Sequence, residues 1–171
     1  MLKQAGLISA ALMFVASYAL GASCESLSSL SIPHTAIVAE SVAAGAFAPA
    51  APAGGKGKAK GGGNAFADLP AFCRVQVTSK PSSDSDIKIE YWLPVNGWNG
   101  NFEANGNGGW SGSITANTLA TGMQRGYAAA MTDTGHDGGS ASFAQGHPEK
   151  VIDFGYRAVH EMATTGKVLI K

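Results

Sequence analysis

Neither sign of charge prevails in this chain. Its 12 basic residues face 12 acidic ones, and charged residues make up only 14% of the sequence. That balance excludes the basic excess on which nucleic-acid binding rests, so no nucleic-acid partner is expected. Aromatic residues are few, at 8%, and cysteine is fewer still, with only Cys24 and Cys73. The two lie too far apart for a C-x-x-C redox or zinc pair. An even number in an exported chain favours a disulfide instead. A loop of that length stabilises by roughly 4 kcal/mol in the chain-entropy model, as an upper figure.

What is abundant is glycine, 23 residues in a chain of 171. That length gives room for one domain of ordinary size with its own core. Residues 1–22 stand apart from it. Met1-Leu2-Lys3-Gln4 gives a positive start, Ala5 to Leu20 is almost wholly apolar or small, and Gly21-Ala22-Ser23 offers small residues for cleavage. This reads as a secretory signal peptide, and hence as a secreted or periplasmic protein with no stable membrane insertion after cleavage. The competing reading, an N-terminal membrane anchor, lacks a basic stop-transfer flank. A lipid-attachment signal at Cys24 is opposed by Gly21, which stands where such signals usually carry leucine. Whether cleavage spares Cys24 decides whether the disulfide can form.

Residues 23–171 form the domain proper. The alternation around Ile37-Val38 indicates a strand. From about residue 43 to 67 the composition falls to Ala, Gly, Pro and Lys, which reads as a flexible surface excursion. Its GGKGK lacks the upstream glycine and the Ser/Thr of a phosphate-binding P-loop. AFCRVQVTSK and DIKIEYWLP then alternate at period two, with Ile87, Ile89, Tyr91 and Leu93 on one face, and KPSSDS makes the turn of an antiparallel hairpin. A third strand is expected at about residues 100–104, and a helix over Ile114 to Arg125. GYAAAMTD has the continuous apolar character of a buried parallel strand. A last helix opens at Pro148, with Val151, Ala158, Val159, Met162 and Leu169 as its expected buried stripe. Strand, helix, strand, helix after an antiparallel start is an α/β architecture.

Between the third strand and the first helix lies NFEANGNGGWSGS, with four glycines in seven residues from Gly106 to Gly112. A loop at the carboxyl end of a strand is where open α/β sheets bind ligands, and glycines there leave backbone N–H groups free to face an anion. The dinucleotide fingerprint fails: Gly106 and Gly108 fit, but Ser111 stands where the next glycine is required, and no acidic ribose ligand follows. The remaining anion is the oxyanion of an acyl-transfer intermediate. Its analogue is the glycine-rich loop after the third strand of α/β-hydrolases, which donates part of the oxyanion hole. A tight turn with no chemistry is the bland alternative.

Taken together and in order, CESLSSLSIP, LPAFCRV, WLPVNGWNGNF, GNGGWSGSI, RGYAAAMTDTGHDG and ASFAQGHPEKVIDFGYRAVHEM resemble the N-terminal part of the tannase and feruloyl esterase family. The resemblance runs from about Cys24 to Lys171. It implies an α/β-hydrolase fold, secretion, pairing of Cys24 with Cys73, and serine-dependent cleavage of aromatic carboxylic esters of the galloyl or feruloyl type. It also implies a lid with a calcium site, which would lie beyond this segment. The oxyanion loop then falls on Gly108 and Gly109, and Trp110 beside it becomes a candidate for the substrate pocket. The serine elbow does not appear. GWSGS comes nearest, but Ser113 replaces its final glycine and it follows the wrong strand. In the family the elbow follows the strand after FGYRAVHEM, so the segment is expected to stop just short of its nucleophile and to be inactive alone. A non-catalytic secreted binding or structural module of the same fold is the alternative.

The remaining polar residues read more plainly. Asp133, His136 and Asp137 of TDTGHD have the types of a zinc or calcium loop, but a polar strand-end loop with Asp133 accepting backbone N–H bonds suits them better, and no metal is assigned. His147 precedes Pro148 and shapes the start of the last helix. His160-Glu161 is not H-E-x-x-H, since Thr164 stands in place of the second histidine, and a structural role is expected for His160. Trp92 and Trp98 are expected in the core.

Overall fold

In the computed structural model, which describes residues 23–49 and 66–171, the alternating runs are strands of one sheet. The expected signal peptide and residues 50–65 of the excursion lie outside the described residues. Strands β1 (Thr35–Val42), β2 (Phe72–Ser79), β3 (Ile87–Pro94), β4 (Phe102–Asn105) and β5 (Ala128–Thr132) are joined in the order β1-β2-β3-β5-β4. β1, β2 and β3 are antiparallel neighbours, and β5 pairs antiparallel with β3 and parallel with β4. Helix α1 (Ala116–Gln124) makes the crossover from β4 to β5. The last helix begins as α2 (Pro148–Ile152), widens to a π turn over Asp153–Arg157, and continues as α3 (Ala158–Leu169).

Each face of the sheet carries one helix. Ile87, Ile89 and Tyr91 of β3 join Val75, Val77, Ala158 and Met162 in one core cluster, as period two requires. Trp92, from the opposite face, joins Phe72, Leu119, Met123 and Met131 in the other. Tyr91 Oη donates to the Met162 carbonyl at 3.0 Å, which satisfies its hydroxyl inside the core. Phe47 and Phe66, at the two ends of the stretch read as an excursion, are themselves core residues. Their rings sit 5.2 Å apart and both pack on Trp92.

The buried stripe of the last helix is Ala158, Met162, Thr165, Gly166 and Leu169, so two of its expected members are corrected: Val151 is 50% exposed and Val159 43% exposed. The π turn sets buried Ala158 five positions after buried Asp153, and that extra residue rotates Val151 away from the sheet. Val159 lies a further step round from Ala158, and exposed His160 follows it, so the structural role expected of that side chain is also corrected. Trp98 is corrected too. At 44% exposure it lies on the surface, because Val95–Gly100 is an irregular connection in which Gly97 and Gly100 take positive φ, and its Nε1 donates to the Asn101 carbonyl.

Cys24 and Cys73 are bonded, tying the 3₁₀ turn over Cys24–Ser29 to β2 across a separation of 49 residues. Replacing both with serine is expected to cost up to about 4 kcal/mol and to lower the midpoint of thermal unfolding by about 10 °C. An unchanged midpoint would show that the turn is held without the bond.

Candidate functional site

β4 and β5 run parallel, so their carboxyl ends open onto the same edge of the sheet, and the loops that leave them meet. Two asparagines hold the first loop. At the end of β4, Asn105 Nδ2 donates to the Ala130 carbonyl at 3.2 Å, and just beyond it Asn107 Nδ2 donates to the Thr132 carbonyl at 2.7 Å. The Asn107 amide thus continues toward β5 the pairing that the backbone has stopped making. The signal for them was present in the sequence as asparagines two apart at a strand end, with Gly106 between them.

Past that anchor, Gly109 takes φ 57°, the left-handed region, and the Gly108 carbonyl accepts from Ser111 N at 3.2 Å, closing a turn. Among the described residues the N–H groups of Gly108 and Gly109 have no acceptor. Both glycines are exposed. They are donors presented just past the end of β4.

The second loop begins with a tight turn. Asp133 Oδ1 accepts from Lys88 N at 2.9 Å and Gly135 N at 2.8 Å, while Thr134 takes φ 59°. Asp133 accordingly does what was expected of it. Burial pushes its carboxyl up to about 6, against the partial compensation of those amides. The loops are joined at Gly112 and Gly138, which exchange hydrogen bonds of 2.6 Å and 3.1 Å, and at His136, whose Nε2 donates to the Trp110 carbonyl at 3.0 Å. A cleft of about 430 Å³ opens beside this junction, lined by Lys88, Gly112, Ser113, Asp133, His136 and Lys150.

Aromatic rings frame the junction. Trp110 is 53% exposed and stacks on Phe154 of the π turn at 5.3 Å, and His136 stacks on Phe143 at 3.8 Å. The π turn carries a second feature that the sequence did not reveal. Asp153 is fully buried and pairs with Arg157, which also reaches Glu149 and Ser85. His147, at the start of the helix, pairs its side chain with Asp84 and not with the helix end.

Ser111 and Ser113 lie 3.3 Å apart at their hydroxyls, and Ser113 also reaches Asn107 Oδ1. No histidine nitrogen bonds either serine, so the arrangement of a nucleophile with its base is not formed here. Among the described residues no three His, Cys, Asp or Glu side chains are grouped to hold a metal ion. No helix of the described residues is long and apolar enough to cross a membrane.

A mixed sheet covered on both faces, with glycine amides displayed at the ends of its parallel pair, is the first part of an α/β-hydrolase fold. The chain belongs to the tannase and feruloyl esterase family, whose model matches residues 73–171. It is 43% identical over 152 residues to an uncharacterized esterase of Xanthomonas campestris pv. campestris, a match covering 87% of this chain and 24% of that one. A probable feruloyl esterase B-2 of Neosartorya fischeri is 40% identical over 100 residues, 58% of this chain and 19% of its own. The crystal structure of feruloyl esterase B from Aspergillus oryzae superposes with a TM-score of 0.70 at 29% identity, over 85% of this chain and 28% of that one. The segment thus spans about a quarter or less of the length of these relatives.

The raised pKa of Asp133 sets a pH dependence. Its folded value of about 6 lies above the unfolded carboxylate range, so the native state holds the proton more tightly and stability falls as pH rises from about 4 to about 6. Asp133→Asn keeps a carbonyl for both amides and removes the charge. Denaturant midpoints measured from pH 4 to 7 are expected to lose that fall, with the variant at least as stable as wild type at pH 7. A steeper fall in the variant would refute the assignment.

Proposed function

We propose that this segment supplies the first half of the sheet and the oxyanion loop of a secreted serine carboxylic-ester hydrolase that acts on aromatic esters of the feruloyl or galloyl type. The observation that carries the reading is the pair of acceptor-free amides at Gly108 and Gly109, at the carboxyl end of β4. When a serine attacks an ester carbonyl, negative charge gathers on the carbonyl oxygen. Donors already aimed at that oxygen lower the barrier without having to reorganise.

The other elements of the reading have separate support. The Cys24–Cys73 bond suits an exported chain. The exposed indole of Trp110, backed by Phe154, offers an aromatic ring a flat surface beside the loop. Relatives are named feruloyl esterases, which favours aromatic esters. The nucleophile, its histidine and its acid belong, on this reading, to parts of the relatives' length that this segment does not span, as does the lid with its calcium. The 171 residues alone are expected to hydrolyse no ester.

The test removes the amides singly in an active enzyme carrying the segment. Replacing Gly108 or Gly109 by glycolic acid, an amide-to-ester change, deletes one N–H each and leaves φ free, which proline could not do at Gly109 with its φ of 57°. Loss of a working oxyanion donor lowers kcat by about 100- to 1,000-fold, with KM changed by about threefold or less. Steady-state kinetics that find kcat intact in both variants would sink the reading.

A further inference from the structure

The two glycines that carry the proposed donors hang between two anchors. On one side is Asn107, whose side chain is bonded to the Thr132 carbonyl. On the other is the peptide plane between Trp110 and Ser111. The N–H of that plane donates to the Gly108 carbonyl at 3.2 Å, and its carbonyl oxygen, that of Trp110, accepts from His136 Nε2 at 3.0 Å. Because the peptide is planar, fixing its carbonyl fixes the direction of its N–H, and with it the turn from Gly108 to Ser111.

His136 is built into this place. It is buried at 7% exposure and its ring lies flat on Phe143, with planes 15° apart. A carbonyl can only accept, so Nε2 must carry a proton whichever protonation state the ring adopts. Nδ1 lies 3.5 Å from Thr134 Oγ1, too far to hold the ring strongly. At Gly112 the loops also touch backbone to backbone. A Cβ on Gly112 would come within 2.2 Å of the His136 carbonyl oxygen and 2.8 Å of its ring Cδ2.

We propose that His136 is the positioning residue of the oxyanion loop: its Nε2–H, bonded to the Trp110 carbonyl, sets the direction in which the Gly108 and Gly109 amides point. This rests on the reading of those amides as the oxyanion donors. His136 itself touches no substrate and transfers no proton; it acts through the 110–111 peptide.

The test compares His136→Leu with His136→Gln in the active enzyme. Leucine fills the space without a donor, whereas the glutamine amide carries an N–H at about the reach of Nε2. Misplacing a catalytic group by about 1 Å costs up to about 100-fold. His136→Leu is therefore expected to lower kcat by about 10- to 100-fold with KM within about threefold, and His136→Gln to recover most of that loss at a similar unfolding midpoint. Equal losses in both variants would assign His136 to packing and overturn the proposal, as would an unchanged kcat in His136→Leu. If the leucine variant does not fold, His136→Gln decides alone: kcat within about threefold of wild type upholds the proposal, and a loss beyond about 10-fold at an unchanged midpoint overturns it. The amide-to-ester variants at Gly108 and Gly109 separate the two levels. Intact kcat there removes the donor reading itself, whereas loss there with no loss in His136→Leu removes only the role of His136.

Discussion

Ala128, Ala129 and Ala130 allow two helices to close on one strand from opposite sides, and the site depends on that closure. β5 is buried along its whole length. It lies between an antiparallel neighbour and a parallel one, Ala130 facing the cluster of α3 and Ala129 that of α1. Side chains this small leave the strand little bulk with which to hold the helices away. With β5 central, its carboxyl end emerges beside that of β4. The TDTGHD loop must then lie against the glycine loop, because both leave the same edge with helices on either side.

Much of this was legible, and the reason is periodicity. β2 alternates from Cys73 to Thr78 and β3 from Ile87 to Tyr91, and only one face of each can enter the core that carries Ile87, Ile89 and Tyr91. β5 was legible as a buried parallel strand because nothing in it is polar before Thr132. What the sequence did not display was contact between distant segments. Insertion of β5 between β3 and β4, the reach of Asn107 to Thr132 and the bond from His136 to Trp110 all join residues whose proximity no local pattern records. The π turn escaped for a related reason. A helix with an extra residue in one turn still reads as helical on either side, and only the misplacement of Val151 and Val159 betrays it.

The polar atoms of the site divide into those that hold and those that are left free. The Asp133 carboxylate, the Asn105 and Asn107 amides, the Thr132 hydroxyl and the His136 ring are all engaged with backbone groups of neighbouring strands and loops. The Gly108 and Gly109 amides are not. Partnered groups on both sides of an unpartnered pair mark a loop whose geometry is decided by its surroundings; on the proposed reading its donors then need not rearrange when charge appears. That is the condition under which backbone amides stabilise an oxyanion well.

Orientation is only half of that condition. An amide that exchanges a water for an oxyanion gains little, on the order of 1 kcal/mol, as any hydrogen bond made in water does. The same amide in a site closed to water gains several times more, because the low dielectric strengthens its dipole's hold on the charge. Gly108 and Gly109 are exposed, and so are Trp110 beside them and Tyr156 on the π turn. On the proposed reading, residues 23–171 provide direction and rigidity, and the exclusion of water belongs to the parts of the relatives' length that this segment does not span. Rings flank the loop on the Trp110 side, while Lys88, Asp133 and Lys150 line the cleft beside Gly112. Trp110, Phe143 and Phe154 form a surface that loses no hydrogen bond of its rings' faces when water leaves, whereas lysines or carboxylates in their place would resist the drying on which the donors depend.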